Sequence, residues 1–364
     1  MNSARQTDLI FLKRCFSLAK KGAGKVSPNP LVGAVLVKNG KIIGEGWHKQ
    51  YGEAHAEVNA ITAAKINPAG STLYCNLEPC CHKNKQTPPC VPFIIKNKIK
   101  RVVISNLDPN NAVNGKGVKQ LREAGVKVTT GVLAKEGSEL NKFYFKYAKE
   151  KFPFITLKVA QSIDGKISIS KKEQTWLTGK KSVEYVHKLR SEYDAILVGA
   201  GTIKIDNPLL TVRKVKGRNP TRVVIDGSLS IPVNSKVIKC SDPQKTIIIT
   251  SNTSSKRKIK LLSAKGIRVV KLNASSNNQI SVKSVVRFLA KQKITSVLVE
   301  GGSEVFTQFL EKNLFDEIIV LQTPKILGQG IGAFNLKKLK RIQLSKAEII
   351  GEDIKLIYRK NLSD

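Results

Sequence analysis

Three cysteines and a histidine crowd the segment "LEPCCHKNKQTPPC", residues 77–90, and a second histidine stands upstream in "AHAEVNAI" beside a glutamate. Thiolate and imidazole are donors that zinc prefers, and a histidine with two thiolates leaves one tetrahedral position for water. His55 with two of the three cysteines of that segment supplies such a set. A structural zinc would instead take a fourth protein ligand, for which Cys81 or His82 is at hand. A metal that lowers the pKa of water needs a carboxylate near it, not on it, to move protons. Glu57 is two residues from His55, so on a regular helix the two diverge by about 200°. At a first turn both can still edge one cleft. A lone "HAE" is common, and by itself His55 reads first as a core or surface histidine. His48 could border the same pocket or be a satisfied structural histidine. Cys15, Cys75 and Cys240 read as small packing residues.

A second set of residues lies downstream and contains no metal cluster. "LVEGGSEVFTQFL" reads as strand, glycine pair and helix, where close backbone approach and a helix N-terminus favour a phosphate. Alone, it would be an ordinary structural turn. "AILVGAGTIKIDNPLLTVR" adds another glycine-rich strand end followed by Asp206 and Arg213, and "LKVAQSIDGKI" supplies Lys158 and Asp164.

Both sets need strands and helices to hold them. "DLIFLKRCFSLAKKG" has helical periodicity, with Asp8 as N-cap and Gly22 as stop. "LVGAVLVKNGKIIGEGW" predicts two strands joined at Asn39-Gly40. "HAEVNAITAAK" is helical, "STLYCNL" a strand, "VPFIIKNK" a helix, "RVVISNL" a strand, 116–124 a helix and "VKVTTGV" a strand, which together predict a three-layer α/β domain. A charged helical stretch gives way to a strand at Pro153, which places a boundary near residue 150 and divides the chain into 1–150 and 151–364. The second part alternates again through "FITLKVA", a helix over 182–192, "AILVGA", "TRVVIDG", "KTIIITS", "GIRVVKL", a helix near 282–291, "SVLVEGG" and "FDEIIVLQT". This order predicts a mostly parallel sheet with ligand at its carboxyl edge. "LNASSNNQIS" reads as a loop.

The 364 residues, 41% hydrophobic and 25% charged, suit two globular domains. No apolar run is long enough for a bilayer, and the N-terminus lacks the apolar core of a secretory signal. Six cysteines in so long a chain favour metal or packing roles over disulfides. A net charge of +36 raises the question of nucleic acid. Residues 1–150 carry 24 basic and 10 acidic side chains and the remainder 39 and 17, so neither part is a dedicated basic domain. Lysine outnumbers arginine 50 to 13, which reads as compositional bias that favours anionic substrates.

H-x-E followed by P-C is the pattern of zinc nucleobase deaminases. Together with "SPNPLVGAVLV", "GEGWH", "HAEVNAI", "LEPC" and "TPPC", it makes this chain resemble the bifunctional riboflavin biosynthesis family over nearly its whole length. The resemblance implies a cytidine-deaminase-like N-terminal domain followed by a dihydrofolate-reductase-like domain. It implies zinc on His55, Cys80 and Cys90, Glu57 as proton shuttle, and Asn29 against the pyrimidine. In the second domain Ala160, Trp176, Thr202, Asp206 and the stretch Gly302, Ser303 and Glu304 resemble NADPH contacts. Gln174, Arg190, Leu210, Arg213 and Glu300 resemble substrate contacts, although Gln174 stands where a serine is common in relatives. Trp176 would also suit a core aromatic. Cys81 stands where a serine is usual, and the loop before "TPPC" is one residue longer. That insertion leaves open which of Lys83 and Lys85 approaches the substrate phosphate. The implied activities are hydrolytic deamination of a phosphoribosylamino-diaminopyrimidinone and NADPH-dependent reduction of its ribosyl chain. A cytoplasmic homo-oligomer with no nucleic-acid or membrane partner is expected. A nucleic-acid or free-base deaminase would call for a basic stripe with stacking aromatics. A non-catalytic sensor of a flavin precursor would be expected to lack Glu57.

Overall fold

The computed structural model describes residues 3–82, 87–170, 173–240 and 242–360, in two compact units, Met1–Lys151 and Phe152–Asp364. Lys83 and Lys85, between which the sequence left the phosphate contact open, lie outside the described residues.

In the first unit α1 (Ser3–Ala19) precedes a hairpin of β1 (Gly33–Lys38) and β2 (Lys41–Trp47). Asn39 and Gly40 both have positive φ, as a two-residue hairpin turn requires. There follow α2 (Ala56–Thr62), β3 (Thr72–Leu77), α3 (Cys90–Lys96), β4 (Arg101–Asn106), α4 (Lys116–Glu123), β5 (Lys127–Thr130), α5 (Ala134–Leu140) and α6 (Lys142–Glu150). The sheet order is β2-β1-β3-β4-β5, with β3, β4 and β5 parallel. Side chains alternate across it with period two. Ala34, Leu36, Leu73, Cys75, Val102 and Ile104 join the core with α2, α3 and α4. Val35, Val37, Tyr74 and Val103 pack with Leu12, Cys15 and Leu18 of α1. Three layers result.

Asp8 does not cap α1, which begins at Ser3 and carries Asp8 in its interior. Its buried carboxylate instead accepts both ends of the Arg101 guanidinium at 2.8 and 2.7 Å and the Tyr74 hydroxyl at 3.0 Å. Partners on β3 and β4 outweigh the local capping preference, and no helical pattern reveals them. Gly22 ends a 3₁₀ turn (Lys20–Gly22) that continues α1.

The second unit contains β6 (Phe154–Gln161), β7 (Lys166–Ser168), α7 (Lys180–Glu192), β8 (Ala195–Gly199), α8 (Ala200–Asp206), β9 (Thr221–Ile225), β10 (Thr246–Ser251), α9 (Lys256–Ala264) and β11 (Arg268–Leu272). It continues with α10 (Val282–Lys291), β12 (Ser296–Gly301), α11 (Ser303–Glu311), β13 (Glu317–Gln322), β14 (Ile331–Gly332), β15 (Gln343–Ile350) and β16 (Asp353–Arg359). The nine-stranded sheet runs β11-β10-β9-β8-β12-β6-β13-β16-β15, parallel as far as β13 and antiparallel beyond. Ala195, Leu197, Ile247 and Ile249 face the core shared with α10 and α11. Ile196, Val198 and Ile248 face Ile203 and Leu262. The β15–β16 hairpin was not legible in sequence because β15 is exposed over most of its length and its apolar alternation is weak. Among the described residues no helix is long and apolar enough to cross a membrane.

One packing contact bears on the site. A Cβ at Gly46 of β2 would collide with the backbone of Ala56 and Ala60, so α2 lies directly on the strand. Gly46→Ala is expected to destabilise the first unit by about 1–3 kcal/mol through overpacking. Because α2 carries His55 at its start, the variant should also yield metal to a chelator faster. Thermal unfolding and a chelator-release time course check both.

Candidate active sites of the two units

His55 is the N-cap residue of α2, and its Nδ1 lies 3.4 Å from both Cys80 Sγ and Cys90 Sγ. The three donor atoms lie within 4.8 Å of one another. One imidazole nitrogen and two thiols at this spacing fit zinc and leave a fourth position to water. His55 Nε2 is 3.2 Å from the Thr87 hydroxyl, a partner that orients the ring. Cys90 opens α3, and its N–H reaches Cys80 Sγ at 3.3 Å and Cys80 O at 3.0 Å, while Val91 N–H reaches the same carbonyl at 3.2 Å. Cys81 turns away and donates its thiol to Ala112 O at 3.9 Å.

A cavity of about 310 Å³ opens onto these donors, lined by Asn29, His48, His55, Glu57, Glu78, Cys80, Asp108, Asn110 and Tyr144 among others. Glu57, one helical position beyond Ala56, is only 3% exposed. His48 accounts for its own polarity: Nδ1 donates to Ala54 O at 3.2 Å, which leaves Nε2 to accept from Asn29 Nδ2 at 3.2 Å. Glu78 of the "EPC" run is buried and accepts N–H groups from Asp108, Gly115 and Val118 at 3.1, 2.9 and 3.0 Å. It therefore ties down the loop after β4 that carries Asp108 and Asn110. Burial raises the Asp108 carboxyl to about 6, against hydrogen bonds from Asn110 N–H and Tyr144. Asp108, Asn110 and Tyr144 are pocket residues that sequence reasoning missed. The "DPN" turn at the carboxyl end of a strand was the available signal.

In the second unit Arg190 of α7 makes a bidentate pair with Glu300 at the end of β12, 2.8 and 2.7 Å. Lys158 of β6 stands 3.9 Å from the same carboxylate. Burial pushes Glu300 upward, but Arg190 and Lys158 overcome it and hold the carboxyl below its usual range. Burial lowers the Lys158 ammonium, with Glu300 opposing, and raises Asp206, with Lys158 opposing. Burial and the neighbouring Arg190 lower Arg213. Leu210 is buried with φ 54°, a strained turn that delivers Thr211 and Arg213 to this cluster: Arg190 Nη1 donates to Thr211 O at 3.3 Å and Arg213 Nη1 to Thr211 Oγ1 at 2.8 Å. His187, 4% exposed, accepts the Arg213 N–H on Nδ1 at 3.0 Å. Thr202 of α8 packs against Gly301 where a Cβ would collide with it. Gly302, with φ 86°, then opens α11, where Ser303 and Glu304 form the first turn. This bare backbone at a helix N-terminus fits a dinucleotide phosphate.

Ala160 lies near the end of β6, beside Leu321 of β13. Trp176 is 75% exposed, not a core aromatic, and its carbonyl accepts Lys325 Nζ at 3.2 Å. Gln174 is exposed on the same segment. The structure joins Lys158, Arg190, Glu300, Asp206 and Arg213 in one electrostatic cluster, while Gln174 and Trp176 are exposed on the 173–179 segment.

Fold and sites together define a zinc-binding deaminase of the cytidine deaminase class joined to an NADPH-dependent reductase. Residues 5–106 match the cytidine and deoxycytidylate deaminase zinc-binding region, and residues 153–356 match the RibD C-terminal domain. The chain is 40% identical to the riboflavin biosynthesis protein RibD of Aquifex aeolicus, over 98% of this chain and 99% of that protein. It is 40% identical to that of Bacillus amyloliquefaciens over 95% and 94%. RibD of Acinetobacter baumannii superposes with a TM-score of 0.89 at 30% identity, covering 98% of this chain and 99% of the other. A diaminohydroxyphosphoribosylaminopyrimidine deaminase/5-amino-6-(5-phosphoribosylamino)uracil reductase of Thermotoga maritima does so with 0.86 at 37% identity, with the same coverage. The chain belongs to the bifunctional RibD family of riboflavin biosynthesis, and it carries both the deaminase and the reductase.

Two outcomes are expected. Cys81→Ser should keep one zinc per chain by elemental analysis, whereas Cys80→Ser and Cys90→Ser should lose it. Burial, with Arg190, Arg213 and Lys214 nearby, lowers His187 to about 4, with Glu300 opposing. An unfolded histidine titrates near 6.5, so the unfolded chain binds the extra proton first. Stability linked to His187 should be complete above pH 6.5 and decline as pH falls toward 4. The drop in unfolding midpoint over that window should be smaller in His187→Asn.

Proposed function

We propose that the first unit hydrolyses the exocyclic amine of 2,5-diamino-6-(5-phosphoribosylamino)pyrimidin-4-one and that the second reduces the ribosyl chain of the product with NADPH. The observation that carries the reading is the convergence of His55, Cys80 and Cys90, the first two of which line a cavity together with Glu57 and Asn29.

His55, Cys80 and Cys90 hold zinc, which supplies Lewis-acid activation of water near neutral pH. Glu57 takes a proton from the attacking water and delivers it to the departing amine, which leaves as ammonia. Asn29 hydrogen-bonds the pyrimidine, with its amide oriented by His48 Nε2. Buried Glu57 meets the reacting atoms with little competing water, which strengthens its part in proton transfer.

In the reductase, NADPH when bound would supply a hydride for the ribosyl C1′ carbon, whose bond to the ring oxygen O4′ opens as that oxygen takes a proton from water. Gly302, Ser303 and Glu304 at the start of α11, with Ala160, Trp176, Thr202 and Asp206, hold the cofactor. Arg190, Leu210, Arg213, Glu300 and Gln174 hold the substrate, the arginines suiting its phosphate. The buried Glu300 keeps Arg190 in place while Arg213, beside another cation, gains from an incoming anion. The chain acts as a homo-oligomer in the cytoplasm. The thiol-based metal set of Cys80 and Cys90 supports a reducing compartment.

Glu57→Gln tests the division of labour. Zinc-loaded Glu57→Gln should release ammonia from the diaminopyrimidine at least a hundredfold more slowly. NADPH oxidation on the deaminated product should be unchanged. Loss of both activities in a folded variant would refute two independent sites.

A further inference from the structure

The corner between α5 and α6 reaches into the deaminase pocket, although residues 133–150 lie outside the stretch 5–106 that matches the deaminase family. Asn141 occupies that corner and is buried. Its side-chain amide grips Leu31 at both backbone groups: Oδ1 accepts the N–H at 2.8 Å, and Nδ2 donates to the carbonyl at 2.9 Å. The same carbonyl accepts Asn76 Nδ2 at 2.8 Å, and Asn76 Oδ1 accepts Gly33 N–H at 2.8 Å. Leu31 is two residues beyond Asn29, whose amide meets His48. Three positions along from Asn141, Tyr144 lines the cavity and donates its hydroxyl to Asp108 Oδ1 at 2.8 Å. One helical corner thus grips two separate stretches of the pocket wall.

Asparagine suits the first grip for a chemical reason. Its amide carries one donor and one acceptor side by side, so it can serve both backbone groups of one residue. A carboxylate keeps the acceptor but turns its second oxygen on the Leu31 carbonyl, and a buried polar group left unsatisfied is costly. The second grip fixes a carboxylate that also accepts Asn110 N–H at 2.8 Å. Without the tyrosine hydroxyl, Asp108 loses its only side-chain donor among the described hydrogen bonds.

We propose that the α5–α6 corner is an integral part of the deaminase site, with Asn141 the positioning residue for the Asn29 loop and Tyr144 the positioning residue for Asp108. The proposal rests on the reading that this cavity binds the pyrimidine substrate. It makes the deaminase unit functionally longer than the zinc-binding segment, because a wall of its pocket is held by helices that follow the last strand.

The test uses the full-length, zinc-loaded chain with the diaminopyrimidine phosphate, and the reductase of the same chain serves as internal control. Asn141→Asp should raise the deaminase KM about tenfold or more with kcat within about threefold. Zinc content and reductase kcat/KM should stay unchanged. Tyr144→Phe should raise KM severalfold, and the double variant with Asp108→Asn should be no worse than Asp108→Asn alone. A lower unfolding temperature with unchanged KM in Asn141→Asp would make that residue merely structural and overturn its part. Additive effects of Tyr144→Phe and Asp108→Asn would overturn the other. Should Asn141→Asp fail to fold, the isosteric Tyr144→Phe cycle still decides whether the corner acts on the pocket. Asn29→Ala separates the two levels. An unchanged KM there sinks the pocket reading itself, whereas a raised KM beside a normal Asn141→Asp sinks only the positioning role.

Discussion

The hydrogen bonds from the first amides of α3 to Cys80 are the constraint on which the metal centre depends. Cys90 N–H reaches both the sulfur and the carbonyl of Cys80, so the two thiols are set relative to each other by backbone geometry. Amides at a helix start are otherwise unsatisfied donors, and here they are satisfied by the sulfur and carbonyl of Cys80. The ligand pair therefore does not depend on the path taken by the residues between them. This is a physical reason why the longer "KNKQ" segment and the neighbouring Cys81 are compatible with the site.

The third ligand arrives by a different route. His55 is held by the contact of α2 with β2, where Gly46 lets backbone touch backbone. The carboxyl end of β3 leads directly into Glu78 and Cys80, and the Glu78 carboxylate accepts the amides of Asp108 and Gly115 in the connection after β4 and of Val118 in α4. The two thiols and the Asp108 wall are thus fixed by backbone hydrogen bonds and His55 by helix–strand packing, which suits a site whose groups must hold close tolerances.

The reductase unit achieves order by buried charge. Glu300 is desolvated and remains ionised because Arg190 meets it with both ends of its fork and Lys158 adds a second cation. Burial first, and then the positive charge of Arg190, Arg213 and Lys214, keeps His187 neutral and able to accept. The same positive charge attracts phosphorylated ligands. In the chain as a whole the net charge of +36 is spread over both units.

Much of both folds was legible because period-two apolar runs and glycine turns are local: the β1–β2 hairpin is written in Asn39-Gly40, and α10 and β12 in their own patterns. The spacing of His55, Glu57, Cys80 and Cys90 pointed to zinc chemistry for the same reason, since donor identity is a property of residue type. What sequence could not decide was long-range. Asp8 reads locally as a cap, yet Arg101 and Tyr74, 93 and 66 positions away, take it into the core. Asn141 and Tyr144 carry no local signal at all, because their partners Leu31 and Asp108 lie 110 and 36 positions away. The sequence by itself determined which atoms could bind metal, phosphate and substrate. Only tertiary structure decided which of them meet, because a hydrogen bond depends on separations of about 3 Å that chain spacing does not encode.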